Sequence, residues 1–250
     1  MSNPKTAGDR RVRFPLTGKV AVVTGASRGI GLAIARALGV QGCDLVLTAR
    51  DLQSLEKAGK ELSRKGRRVL LKSCDVRDPD SIRALSWSVK ERFGRIDVLV
   101  NNAGVAHPSL PVEKLPYAVW QDVLSTNLTG TFLVTQAMLP QMRRGATVVN
   151  NLSIAAIQGF ANSAAYCASK HGALGLTKTL REELRPRGIR VIALLPGATD
   201  TDIWEVFWPE APRKKMMSAE TVAGSVVSAL IVPEQATVEE MKILPLAGTL

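Results

Sequence analysis

The chain has 250 residues, 33 Lys and Arg against 22 Asp and Glu for a formal charge of +11, three cysteines and two histidines. That length suffices for one substantial core and no linker marks a second one, so a single domain over 18–250 is expected after a flexible basic tail, 1–17. Cysteines at 43, 74 and 167 form no CxxC pair, which argues against a disulfide framework or a zinc site; no apolar stretch nears the roughly 20 residues of a membrane span, so a cytoplasmic protein is expected.

From Lys19 onward, short β-rich apolar runs alternate with longer segments of helical periodicity. The runs cover 20–24, 45–48, 69–72, 98–100, 147–150, 191–195 and 242–244; the helical segments between them cover 29–41, 52–65, 80–93, 127–143, 164–184 and 219–230. The runs show little internal alternation, as strands covered on both faces should. The expected fold class is α/β, a doubly wound three-layer sandwich on a seven-stranded parallel sheet. In such a sheet a ligand sits beyond the carboxyl ends of the strands.

The first of those ends reads Thr24-Gly25-Ala26-Ser27-Arg28-Gly29-Ile30-Gly31 and leads straight into a helix. Gly25 permits a tight turn, Gly29 lets the backbone approach a pyrophosphate, and Gly31 lets the helix pack closely on the strand, with the helix N-terminus facing the anion. Further along, Tyr166 and Lys170 are four residues apart and so share one helix face. A tyrosine with a pKa near 10 transfers protons poorly at neutral pH, and a nearby ammonium is expected to lower that value. Ser153 ends the fifth run, where a hydroxyl can orient a carbonyl and stabilise charge developing on its oxygen. Singly, each has a plain structural reading as helix surface, turn residue or cap.

Together these residues resemble the short-chain dehydrogenase/reductase family over nearly the whole chain from Lys19. The resemblance rests on the TGxxxGxG string, Asp75 after the third run, Asn101-Asn102-Ala103-Gly104 after the fourth, Asn127, the Ser153, Tyr166 and Lys170 spacing, and Pro196-Gly197 after the sixth. It implies an NADP(H)- or NAD(H)-dependent oxidoreductase interconverting a carbonyl and an alcohol, with Ser153, Tyr166, Lys170 and Asn127 as the catalytic set. It also implies that Asn127 holds, through its backbone, a water that resupplies protons by way of the lysine. The implied cofactor set is Gly25, Ser27, Arg28, Gly29, Ile30, Gly31, Arg50, Asp75, Val76, Asn102, Ala103, Gly104, Tyr166, Lys170, Pro196, Gly197, Thr199 and Thr201. Asp75 and Val76 are expected at the adenine, and no metal is expected.

An acid at the end of the second strand would bond a free ribose hydroxyl and repel a 2′-phosphate. Ala49 takes the place where NAD-preferring members carry Asp, and Arg50 follows it, with Arg28 as a second cation, so NADP(H) is the expected cofactor. The alternative leaves the choice to Asp51. After Pro196-Gly197 the family has a substrate lid, and here Trp204 and Phe207 are the expected substrate contacts. The small-molecule carbonyl or alcohol is the expected partner, with a homodimer or homotetramer as the assembly. Arg143, Arg144 and Arg187 and the positive charge also suit an acyl carrier protein, as in 3-oxoacyl-carrier-protein reductases, although the C-terminus departs from theirs. The basic clusters lack interleaved aromatics, so nucleic acid is not expected; the alternative of another class, a non-catalytic NADP(H)- or nucleic-acid-binding protein on this fold, is opposed by the intact Tyr166, Lys170 and Ser153.

Overall fold

The computed structural model describes residues 14–63 and 67–249. Seven strands, β1 (Val20–Thr24), β2 (Asp44–Ala49), β3 (Val69–Ser73), β4 (Ile96–Asn101), β5 (Met142–Asn151), β6 (Arg190–Pro196) and β7 (Glu240–Ile243), form one sheet in the order β3-β2-β1-β4-β5-β6-β7. Every pairing is parallel, as the seven apolar runs predict. The helices are α1 (Gly29–Val40), α2 (Leu52–Ser63), α3 (Pro79–Phe93), α4 (Tyr117–Leu124), α5 (Gly130–Met138), α6 (Ala164–Leu184), α7 (Ile203–Phe207) and α8 (Ala219–Leu230).

Successive residues of the central strands enter different cores, which is why the strands read as unbroken apolar runs. Ala21, Val23, Leu45 and Leu47 pack with Ile34 and Leu38 of α1, Leu55 of α2 and Val222 and Val226 of α8. Val20, Val22 and Val46 pack on the opposite face with Ile82 and Leu85 of α3, Val134 and Met138 of α5 and Leu180 and Leu184 of α6. The edge strand β7 differs, with exposed Glu240 and Lys242 alternating with half-buried Met241 and Ile243. Inside the sheet, Asn101 and Asn150 stand opposite each other in register on β4 and β5 and are bonded at 2.8 Å. Asn101 also donates to Thr135 of α5, and Asn150 to Thr177 of α6, so this buried polar chain ties the sheet to both helices.

The sequence expectation and the structure part at several points. The segment 127–143 is not one helix opened by Asn127. The helix begins at Tyr117, passes through a π-helical turn over Ser125–Thr129, continues as α5 and ends in a tight turn at Leu139–Gln141. Pro140 cannot continue the amide ladder, and Met142 and Arg143 already belong to β5. Helix α2 ends at Ser63; the expected extension lies outside the described residues. Helices α4 and α7 are additions. Of the expected tail, 1–13 lies outside the described residues, whereas Thr17 donates back to the Phe14 carbonyl and Leu16 is buried in the core beside α1. Among the described residues no helix is long and apolar enough to cross a membrane.

The turn after β1 is the tightest point of the fold. Gly25 has φ +62°, a left-handed conformation favourable to glycine. Gly31 lies against the Asn102 side-chain amide and the Gly25 carbonyl, where any Cβ would overlap both. Gly31→Ala is therefore expected to lower unfolding stability by at least about 1–3 kcal/mol in urea titrations, the range of overpacked sites. A loss below about 0.5 kcal/mol, typical of neutral surface sites, would contradict this close approach.

Candidate active site

A cleft of about 960 Å³ runs along the carboxyl ends of the strands and receives a residue from the end of each of β1 to β6: Gly25, Arg50, Cys74, Asn102, Ser153 and Gly197. The sheet order makes this the expected place, because β1 is flanked by β2 and β4 and the chain turns to opposite sides there. Ser27, Arg28, Gly29 and Ile30 line the cleft at the start of α1, Asp75 and Val76 after β3, and Ala103 and Gly104 after β4. Tyr166, Lys170, Pro196, Thr199, Thr201, Trp204 and Phe207 complete the expected wall. Gly31 and Asn127 do not line it. Both act from behind, Gly31 by close packing and Asn127 through its neighbours.

Arg28 precedes α1 in extended conformation and its side chain provides no cap, so the helix presents an uncapped N-terminal turn to the cleft. The glycine turn is held from the other side by Asn102, whose side-chain amide donates to the carbonyls of Thr24 at 2.9 Å and Gly25 at 3.1 Å. The Thr24 hydroxyl accepts from the backbone amides of Asn102 and Ala103 in return. Asn151 donates to the Asn102 side-chain oxygen at 2.8 Å, and Lys170 Nζ donates to the Asn151 carbonyl at 3.1 Å. One connected set of bonds thus runs from the glycine turn to the lysine.

Tyr166 and Lys170 project from one face of α6, with Lys170 Nζ 5.6 Å from the centre of the tyrosine ring. Ser153 follows β5, and its Oγ accepts from the Ala155 amide at 3.1 Å while also hydrogen-bonding Tyr166. Burial pushes the Tyr166 phenol up to about 12, with the Ser153 bond pulling the other way. Burial likewise pushes the Lys170 ammonium down to about 8. Burial outweighs the Ser153 bond at the phenol, and Lys170 is not among the groups that move it here.

The π-helical turn carries Asn127 inward, where Oδ1 accepts from the Val105 amide and Nδ2 donates to the Val105 carbonyl and to Ser169 Oγ. Ser169 Oγ in turn donates to the Tyr166 carbonyl at 2.8 Å. The Asn127 carbonyl accepts from Thr131 Oγ1 at 2.9 Å. Asn127 therefore joins the loop after β4 to the helix that carries Tyr166.

Over the opposite wall lies α7. Phe207 is 5.8 Å from both the Tyr166 and Trp204 rings, and Trp204 Nε1 donates to the Thr199 carbonyl at 2.9 Å. Arg28 pairs with Asp202 at 3.3 Å, linking the glycine turn to this segment. Sequence reasoning missed Arg77, Asp122 and Asn151, which also line the cleft. Arg77 stood two places beyond the expected Asp75; Asp122 and Asn151 carried no local signal, being defined by bonds between distant segments. All three cysteines are buried.

The profile of the family described as short chain dehydrogenase matches residues 19–211. A putative ketoacyl reductase of Streptomyces coelicolor is 43% identical over 208 residues, covering 77% of this chain and 79% of that one. The D-threitol dehydrogenase of Mycolicibacterium smegmatis is 40% identical over 204 residues, 80% of this chain and 77% of that one. Among solved structures, an alcohol dehydrogenase from the archaeon Thermococcus sibiricus complexed with 5-hydroxy-NADP superposes with a TM-score of 0.85 at 33% identity, over 91% of this chain and 97% of that one. A variant of the actinorhodin polyketide ketoreductase with NADPH gives 0.81 at 38% identity, over 91% and 96%. The fold and the cleft are those of a doubly wound α/β oxidoreductase. The chain belongs to the short-chain dehydrogenase family.

The lysine makes stability depend on pH in a defined direction. With a folded pKa of about 8 against an ordinary 10.5, the unfolded chain holds a proton between those values that the folded chain has lost, so stability rises with pH in that window. Relative to Lys170→Met, the wild type should be flat from pH 6 to 7.5 and then gain up to about 1.4 kcal/mol per unit toward pH 10, read from urea melts at each pH. A difference that stays flat to pH 10, or moves against the wild type, contradicts the lowered lysine.

Proposed function

We propose that this protein is an NADP(H)-dependent oxidoreductase that interconverts a ketone or aldehyde and the corresponding alcohol, with Tyr166 as general acid and base. The observation that carries the reading is the convergence of Ser153, Tyr166 and Lys170 on one cleft whose far end is an uncapped helix N-terminus behind a glycine turn. That end fits a dinucleotide: at Gly25 a side chain would collide with Ala103, at Gly29 it would meet Thr201, and the uncapped turn offers amides to a pyrophosphate. When bound, the cofactor supplies hydride to the carbonyl carbon or accepts it in the reverse direction.

The protein's own groups handle the oxygen. Ser153 Oγ is held by the Ala155 amide beside Tyr166, where its hydroxyl can turn from the phenol to donate to the substrate oxygen. Tyr166, with its phenol raised, is protonated at neutral pH and donates that proton to the same oxygen in the reducing direction. Lys170, tied to the Asn151 carbonyl, keeps further donors for the nicotinamide ribose. Asn127 fixes the loop after β4 against α6, which carries Tyr166 and Lys170. Phe207 and Trp204 form an apolar wall that excludes bulk water from the reacting atoms.

Preference for NADP(H) follows from how the charges after β2 are used. The Asp51 carboxylate accepts from the amides of Gln53 at 3.0 Å and Ser54 at 3.2 Å and from the Ser54 hydroxyl, so it caps α2 and does not stand as a free ribose acceptor. Arg50 remains exposed at the strand end. A second substrate reading, a 3-oxoacyl thioester carried by an acyl carrier protein, is favoured by the exposed Arg143 and Arg144 at the start of β5 and by the ketoacyl reductases among the relatives.

The test is oxidation of NADPH and NADH at 340 nm against β-keto esters, diketones, aldehydes and acyl thioesters. NADPH-favoured turnover is expected, and the thioesters separate the two substrate readings. Tyr166→Phe should lose at least about a hundredfold in kcat while its NADPH affinity is kept. Turnover that survives this substitution, or NADH favoured over NADPH, would overturn the corresponding part of the reading.

A further inference from the structure

Four cations, Arg28, Arg50, Arg77 and Lys170, line the cleft, and so do four carboxylates, Asp51, Asp75, Asp122 and Asp202. Formal charges cancel, so charge count alone does not draw a 2′-phosphate to this wall; the pairing pattern decides. Asp51 is committed to capping α2. Arg77 engages two of the remaining three. Its Nε lies 3.0 and 3.1 Å from the two Asp75 oxygens, Nη2 is 2.6 Å from Asp75 Oδ2, and its backbone amide donates to Asp75 Oδ1 at 2.9 Å. The other arm, Nη1, reaches Asp122 of α4 at 2.5 Å. Each partner is only about half exposed or less, so the geometry is held from two sides.

Arg50 stands next to this group across the β2–β3 seam. The Cys74 amide donates to the Ala49 carbonyl at 3.0 Å, and the Ser73 hydroxyl donates to the Arg50 carbonyl at 2.8 Å. Among the described residues the Arg50 guanidinium forms no ion pair, although its field reaches the Asp75 carboxylate. Asp75 is thus the carboxylate best placed to claim Arg50, and it is already satisfied.

We infer that Arg77 is a positioning residue for cofactor selectivity: by occupying Asp75 it leaves Arg50 available to a 2′-phosphate. Remove the Arg77 guanidinium, and Asp75 pairs with Arg50 while adding an uncompensated negative charge beside the phosphate site. Arg77 itself need not touch the phosphate. The inference rests on the NADP(H) reading above.

Its test uses equilibrium binding to the full-length protein, with 2′,5′-ADP and 5′-AMP as probes in titration calorimetry, so that no turnover is involved. The quantity read is the ratio of the two dissociation constants. The wild type should favour 2′,5′-ADP, and Arg77→Gln should cut that preference about tenfold or more, the scale of one hydrogen-bonded charge. Adding Asp75→Asn to Arg77→Gln should bring the preference back, because the competing carboxylate is gone. Asp75→Asn alone should hold or raise it. An unchanged ratio in Arg77→Gln, equal loss of both ligands, or a double variant as poor as the single one overturns the inference while leaving the cofactor reading intact. A wild type that does not distinguish the probes overturns both.

Discussion

The side chain of Asn102 holds the ends of three strands together. Its amide group closes the glycine turn after β1, its oxygen receives Asn151 at the end of β5, and it extends β4 itself. An asparagine can do this because it carries donor and acceptor on one short planar group, whereas an aspartate would offer no donor to the two turn carbonyls. The absence of a side chain at Gly31 is the other half of the same constraint, since α1 can approach only to the distance that Asn102 leaves. Everything that the cleft positions, from the amides of α1 to Lys170 on the Asn151 carbonyl, is referred to this contact.

Burial on both faces of the sheet shapes the chemistry as well as the stability. The same apolar layers that make the central strands continuous bring α6 close enough to desolvate Tyr166 and Lys170. The two groups move in opposite directions, the phenol up and the ammonium down, and each movement favours the neutral form. The phenol keeps the proton that the reducing direction consumes, and a lysine near 8 is still largely charged at neutral pH and retains its donors. The site is therefore built from groups that remain in a useful protonation state without a permanent counter-ion.

Much of this was legible in the sequence, for identifiable reasons. Strands buried on both sides write themselves as uninterrupted runs, and α6 and α8 fall on the residues their periodicity indicates, Ala164–Leu184 and Ala219–Leu230. Helix α4 was not legible, because only Val123 of its eight residues is buried and no apolar stripe forms. At five residues α7 is too short to show a period. The π-helical turn is set by the side-chain bonds of Asn127 to Val105 and Ser169, partners 22 and 42 residues away, which no local pattern encodes. The electrostatics were legible only in kind: which arginines and aspartates would meet depends on strand ends brought together by the fold.

The strand order has a consequence for how the chain is made. The four strands β3-β2-β1-β4 are complete by Asn101, and β5, β6 and β7 then add to the sheet one after another in the order in which they are synthesised. Each later strand therefore pairs with the strand that precedes it in sequence, so these pairings close over a single crossover each. The glycine turn, Arg50, Asp75 and the Asn102-Ala103-Gly104 run all precede Ser153, Tyr166 and Lys170 in the chain. Growth finally stops at β7, four residues long with Glu240 and Lys242 outward, an edge too short and too charged to recruit a strand from another molecule.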